Sequence, residues 1–126
     1  MAIRKTIQIG EPVLRETTKS VEEYSNSHIT QVITDLVDTM RENNLVGMAA
    51  PQIGESLRIF VVEVRETKYR NRETEELLVF INPSIIERSE ETELGYEGCG
   101  SVASGGLFGE VARAKEVTVT YTNQSG

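Results

Sequence analysis

The chain has 126 residues and a formal net charge of −7, with 38% apolar and 26% charged residues. This length suits one domain, residues 1–126, and the composition is that of a soluble globular protein. The acidic balance argues against nucleic acid and against an anionic membrane surface, because both attract clusters of Lys and Arg. A single cysteine rules out an internal disulfide, and no signal segment or membrane span is visible. We therefore expect a cytoplasmic protein.

The first predicted elements along the chain are helical. GEPVLRE, residues 10–16, is typical of a short helical turn with Pro12 in its first turn. The stretch from Ser27 to Asn44 predicts the one clear helix, with a capping residue among positions 25–27. Its apolar residues recur at helical spacing and share one face: Ile29, Val32, Ile33, Leu36, Val37 and Met40. This face predicts packing against a sheet.

After the helix the apolar pattern changes to that of strands. LRIFVVEV and LLVFINPSII predict two apolar strands, the second ending near Pro83, with a charged hairpin or loop at residues 68–76 between them. TELGYEGCGSV predicts a short strand leading into a turn, ASGGLFGE a Gly-rich loop, and EVTVTYT an alternating strand with one covered face. A helix followed by antiparallel strands indicates an α+β fold, with one amphipathic helix packed on a twisted antiparallel sheet.

Three polar residues are candidates for chemistry. Gln52 places an amide between a tight, Pro-containing turn and a predicted buried strand. Cys99 lies between two glycines, which expose the backbone and let another group approach. As a thiolate it would serve as a nucleophile or metal ligand, while a structural cysteine stays the alternative. His28 is the only histidine, and one cysteine with one remote histidine does not make a zinc site.

Two segments of the chain together resemble the signatures of peptide deformylases. GMAAPQ, from Gly47 to Gln52, resembles the first signature of that family, and EGCGS, from Glu97 to Ser101, resembles the second. GEPVLR, FINP and GEVARAKEVTVTY agree with the family in the same order along the chain. The resemblance implies a peptide-deformylase-like fold. It also implies removal of the N-formyl group from the initiator methionine of ribosome-associated nascent chains, in a bacterial-type cytoplasm.

The resemblance also implies roles for individual residues. Cys99 would be a ligand of an Fe²⁺ or Zn²⁺ ion, whose bound water becomes the nucleophile. The amide of Gln52 and the backbone N–H of Gly100 would stabilise the oxyanion. Arg113 and Glu97 would support the site structurally. The residues implied to contact an N-formyl-Met peptide are Gly47, Met48, Ala49, Glu97 and Gly98.

Three departures separate this sequence from the family pattern. No H-E-x-x-H occurs, so two metal ligands and the general base of the family are missing. We therefore expect a domain shortened at its carboxyl end, without the metal-binding helix, that binds metal weakly or not at all. Leu45 replaces the usual first glycine, which would cost about 1–2 kcal/mol if that position needed a positive φ. Gly100 replaces a usual bulky apolar residue, which keeps the N–H donor but gives up an apolar wall.

The sequence leaves three functions open. The first is a shortened peptide deformylase with very little activity. The second is a non-catalytic module that binds N-terminal peptides, a partner protein or a second copy of itself through an open apolar face. The third is a thiol hydrolase that uses Cys99 with His28, which requires the two within hydrogen-bond reach. The deformylase interpretation requires instead that Gln52 and Cys99 converge on one cavity.

Overall fold

The computed structural model of the chain describes residues 3–64 and 76–126 and has an α+β architecture. One long helix, α1 (Ser27–Glu42), packs on an antiparallel sheet, which confirms the predicted fold class. In the part of the chain that the structure describes, three short 3₁₀ turns accompany this helix: Pro12–Arg15, Ala50–Ile53 and Ala103–Gly105. Within the two described ranges, every helix is too short or too polar to span a bilayer.

The apolar face of α1 forms one wall of the hydrophobic core. All six residues of the predicted face are buried, and Leu36 and Met40 are fully enclosed. The cap is Asn26, whose side chain accepts a hydrogen bond from the backbone N–H of His28 at 2.8 Å. After the helix, Asn44 takes a left-handed backbone conformation with φ of 57°, which asparagine tolerates and which stops the helix.

Within residues 3–64 and 76–126, six strands follow α1 and form two sheets. In chain order they are β1 (Gly47–Ala49), β2 (Ile59–Val62), β3 (Leu78–Arg88), β4 (Thr92–Gly98), β5 (Phe108–Ala114) and β6 (Val117–Thr122). Four strands pair antiparallel in the order β1-β2-β3-β6, and β4 and β5 form a separate hairpin. The sequence did not predict β1 or β5, because neither shows a clear alternation. Most of the charged segment predicted at residues 68–76 lies outside the described residues.

The prediction that β3 ends near Pro83 is wrong, because the strand continues to Arg88. The pairing of β3 with β6 shifts register between Ile81 and Ser84, and Asn82 takes a φ of 51° there. A proline cannot donate to a sheet ladder, so it is tolerated where the ladder is already irregular. The proline therefore marks a bulge inside the strand and not its end.

The prediction that one face of β6 is covered is also wrong. Val117 and Tyr121 expose 52% and 44% of their surface. The strand lies at the sheet edge opposite β1, whereas α1 packs on β1 and β2. The Tyr121 ring instead packs on the ring of Phe80, with the ring centroids 4.2 Å apart. Phe80 in turn stacks on Phe60, with the centroids 4.4 Å apart. This aromatic row gives the sheet a partial second layer.

Candidate functional site

The amide of Gln52 is oriented by the short turn that follows β1. Its Oε1 accepts a hydrogen bond from the backbone N–H of Ala49 at 2.9 Å. The amino end of the amide therefore points away from its own turn and lies 3.6 Å from the Sγ of Cys99. Pro51 begins this turn and Gly54 ends it with a left-handed φ of 87°. The sequence thus presents Gln52 as a hydrogen-bond donor.

Gln52 and Cys99 share one open cleft of about 420 Å³. The two residues are 47 positions apart in the chain, so the expected convergence on one cavity is observed. Cys99 is exposed and directly follows β4. The cleft wall is mainly apolar and includes Ile9, Leu14, Ala49, Pro51 and Val102. Such a cleft suits a small apolar side chain with a few polar groups at its end.

The amino-terminal segment, residues 3–9, holds the two halves of this cleft together. The backbone N–H of Ile7 donates to the carbonyl of Gln52 at 2.7 Å. Two residues on, the backbone N–H of Ile9 donates to the carbonyl of Ser101 at 2.7 Å. One extended stretch of chain thereby fixes the spacing between the turn that carries Gln52 and the loop after β4.

Gln8 adds a side-chain clamp that the sequence did not predict. Its Nε2 donates to the carbonyl of Gly100 at 2.8 Å, and its Oε1 accepts from the backbone N–H of Ser104 at 2.9 Å. Both partners are more than ninety residues away in the chain. A lone glutamine near the chain start carries no local pattern that would have predicted this contact.

The structure distributes the other predicted peptide-contact residues over two strands. Gly47, Met48 and Ala49 form β1 at the edge of the main sheet. The side chain of Met48 is only 3% exposed and lies in the core, so Met48 can offer a ligand only its backbone. Ala49 lines the cleft. Glu97 and Gly98 close β4. The contacts of these residues with a peptide stay a prediction.

Glu97 forms an ion pair with Arg113 across the β4–β5 hairpin. The guanidinium donates from Nη2 to Oε1 at 2.8 Å and from Nε to Oε2 at 3.0 Å. The hydrogen bond from Arg113 holds the pKa of the Glu97 carboxyl below its usual value of 4.5, and the carboxylate raises the pKa of Arg113. Both side chains are exposed, and the pair joins β4 to β5. The supporting role that the resemblance implied for the two residues stays a prediction.

The ion pair makes a small, pH-dependent contribution to stability. Because the pKa of folded Glu97 is lowered, the contribution is present above the unfolded pKa, near 4.5, and is lost as the pH falls through the folded value. Arg113→Gln should therefore lower the thermal midpoint slightly at pH 7 and not in strong acid. Glu97→Gln is the matched control, expected to remove the same pH dependence. A difference between the wild type and Arg113→Gln that grows in acid would contradict this assignment.

His28 interacts with a different part of the molecule from the Gln52–Cys99 pair. Its Nε2 is 3.5 Å from the Oε2 of Glu55, and the Oε1 of the same carboxylate accepts a hydrogen bond from Arg4 at 3.0 Å. Within the described ranges, no hydrogen bond joins His28 to Cys99. The structure therefore gives the hypothesis of a Cys99–His28 hydrolase no geometric support.

Comparison with known proteins identifies the family. The family model described as "Polypeptide deformylase" matches residues 3–126. The chain belongs to this family. It is 44% identical over 124 residues to the peptide deformylase of Pseudothermotoga lettingae, covering 98% of this chain and 65% of that protein. It is 44% identical over 126 residues to the peptide deformylase of Carboxydothermus hydrogenoformans, covering 100% of this chain and 74% of that protein.

Solved deformylase structures share the fold of this chain. The Met-Ala-Ser-bound class I type b peptide deformylase of Acinetobacter baumannii superimposes with a TM-score of 0.87 at 32% identity, covering 100% of this chain and 80% of that one. This agreement confirms the predicted peptide-deformylase-like fold along the whole chain. The chain spans about two thirds to three quarters of the length of the two sequence relatives.

Deformylases are metal-dependent, and the described residues do not make a metal site by themselves. In residues 3–64 and 76–126, no group of three or more His, Cys, Asp or Glu side chains is placed to hold an ion. Cys99, the residue that the sequence predicts as a metal ligand, lines the cleft. A catalytic zinc site takes three protein ligands, so a single thiolate does not suffice.

Proposed function

We propose that the cleft is the substrate-binding half of a deformylase active site, which acts on N-formyl-Met peptides. The observation that carries the proposal is the 3.6 Å approach of the Gln52 amide to the Cys99 thiol inside one cleft. Membership of the deformylase family supports the reaction class. The Acinetobacter neighbour holds Met-Ala-Ser, a peptide that begins with the residue the proposed substrate carries.

The first proposed task of the chain is to bind the peptide. β1 is an edge strand, and an extended peptide can add to such an edge through main-chain hydrogen bonds. The apolar wall of the cleft adjoins it through Ala49 and Pro51 and would take the methionine side chain. We propose that backbone pairing fixes the direction of the peptide and that the cleft selects its first side chain.

The second proposed task is to stabilise charge on the formyl oxygen. When water adds to the formyl carbon, that oxygen becomes an oxyanion, and breakage of the C–N bond then releases formate and a free amine. The Nε2 of Gln52 and the N–H of Gly100 are the donors that we assign to this oxygen. Gln52 is already held for this role by Ala49, so little reorganisation is needed. Cys99 is proposed as a ligand of Fe²⁺ or Zn²⁺.

A second candidate function is peptide binding without turnover. The apolar cleft and the free edge of β1 are both formed by the described residues, whereas the metal-ligand set is not. A chain with this arrangement can bind an N-terminal peptide and leave it intact. Association of two copies through an exposed apolar face also stays a prediction.

Turnover of formyl-Met-Ala-Ser distinguishes these functions. We compare the 126-residue chain with an extended chain, in which Gly126 is joined to the carboxyl-terminal segment of the Carboxydothermus relative that follows the matched region. The 126-residue chain should be at least roughly 10³-fold slower, because general acid–base catalysis contributes about 10²–10⁴-fold. Both proteins are assayed with Fe²⁺ and with Zn²⁺, and peptide affinity is measured by calorimetry.

The controls separate the proposals. Cys99→Ala in the extended chain should remove turnover and lower its bound metal. Full turnover by the shorter chain with one bound ion would overturn the expected low activity. An extended chain that binds metal but neither binds nor hydrolyses the peptide would overturn the deformylase assignment. Peptide affinity that is equal in both proteins, with turnover in neither, would favour the binding module.

A further inference from the structure

A side chain at position 100 would collide with Leu45 as the two residues are placed here. A Cβ built on Gly100 would lie 2.5 Å from the Cδ1 of Leu45, closer than real Cβ atoms approach their neighbours. The backbone of Gly100 does not need glycine, because its φ lies outside the left-handed region that Gly54 and Gly105 adopt. The close approach therefore comes from the end of the Leu45 side chain, which has to move to admit a residue larger than glycine.

Leu45 is well placed to act as a support for the loop after β4. Its backbone N–H donates to the carbonyl of Met40 at 3.0 Å, which ties it to the end of α1. Its side chain packs against the core, and its φ is not positive, so the strain considered for this position is absent. Its Cδ2 lies 3.8 Å from the Cβ position of Gly105, while Cδ1 faces Gly100.

We propose that Leu45 is a positioning residue that sets the place of the Cys99–Gly100 peptide opposite Gln52. The two departures from the family pattern then offset each other in space, because leucine at 45 fills the volume that a side chain at 100 would take. The steric relation stands on its own distances. Its consequence for the Gly100 N–H donor rests on the proposed function.

Further contacts explain why this support matters for the loop. The carbonyl of Gly100 accepts a hydrogen bond from the Gln8 side chain, and the carbonyl of Ser101 accepts one from the backbone N–H of Ile9. The loop is therefore fixed both by hydrogen bonds to the amino-terminal segment and by the methyl groups of Leu45. Since protein interiors are close-packed, a bulkier residue at 100 must displace either the loop or Leu45.

The first test compares two glycine substitutions in the 126-residue chain. Gly100→Ala should lower the thermal midpoint by roughly 3–10 °C, as an overpacked site does in a domain of this size. Gly95→Ala in β4 is the matched control, since an added Cβ there meets nothing within 4 Å. Equal midpoints for the two variants would overturn the steric claim.

The second test exchanges the two side chains. Leu45→Gly and Gly100→Leu should each lower the thermal midpoint. The double variant should lose much less than the sum of the two single losses, because the effects of substituting residues in contact are not additive. Alkylation of Cys99 in the folded protein reports loop position without any need for turnover. The alkylation rate of Cys99 in Gly100→Leu should differ from that of the wild type severalfold. In the Leu45→Gly/Gly100→Leu double variant it should return to within about twofold of the wild-type rate.

Each outcome decides a separate point. Additive midpoint losses would overturn the coupling of Leu45 with Gly100. Rescue of the midpoint without rescue of the Cys99 alkylation rate would make Leu45 a packing residue and overturn its positioning role. Rescue of both, in a protein whose extended form shows no turnover or peptide binding, would leave the positioning role intact and reject the proposed function.

Discussion

Gln52→Ala in the extended chain is expected to lower kcat for formyl-Met-Ala-Ser by roughly 10²–10³-fold, the usual loss when one oxyanion donor is removed. KM should change little, because the proposed hydrogen bond to the formyl oxygen strengthens only as charge develops. Steady-state kinetics with the peptide measure both constants. The structural basis is the amide orientation, which points the Nε2 donor end at Cys99 inside the cleft.

Gln52→Glu tests the donor role more specifically than Gln52→Ala, because it removes the N–H donor and keeps an oxygen acceptor. A carboxylate can still accept the hydrogen bond from the backbone N–H of Ala49, so the turn should keep its shape. It has no N–H to donate, and its charge opposes an oxyanion. We expect thermal stability close to wild type together with a kcat at least as low as that of Gln52→Ala. Full activity of Gln52→Glu would show that the donor role is assigned to the wrong group.

Leu36→Ala should lower the free energy of unfolding by about 2–5 kcal/mol, the range for a fully buried leucine. Leu36 is 0% exposed and lies in the face of α1 that packs on β1 and β2. Leu78→Ala is the matched control, because Leu78 is 40% exposed in β3 and should cost clearly less. Urea unfolding of both variants gives the comparison. Equal losses would mean that the core is not centred on α1.

The helix and its buried face were predictable because their signals are local. Six apolar residues at helical spacing defined the face, and a short polar stretch contained the cap, Asn26. The strands β1 and β5 were missed, since a three-residue strand has no period and FGEVARA alternates poorly. The continuation of β3 past Pro83 depends on its pairing with β6, which no single segment reveals.

The candidate site was predictable only where a family pattern carried it. The resemblance linked Gln52 to Cys99 across the chain, and the structure places them in one cleft. It treated Leu45 and Gly100 as separate departures, although their contact makes them one feature. Gln8 had no signal at all. In each case the missing information is a contact between residues distant in sequence, which composition and periodicity do not encode.

The amino-terminal segment has a consequence for how the cleft is assembled. This segment is synthesised before the strands and loops that it joins. The two residues that hydrogen-bond to the Gln8 side chain, Gly100 and Ser104, lie 92 and 96 residues later in the chain. Contacts of such separation carry a large loop-closure entropy and form slowly compared with local ones. We therefore expect the geometry around Cys99 to be completed late in folding.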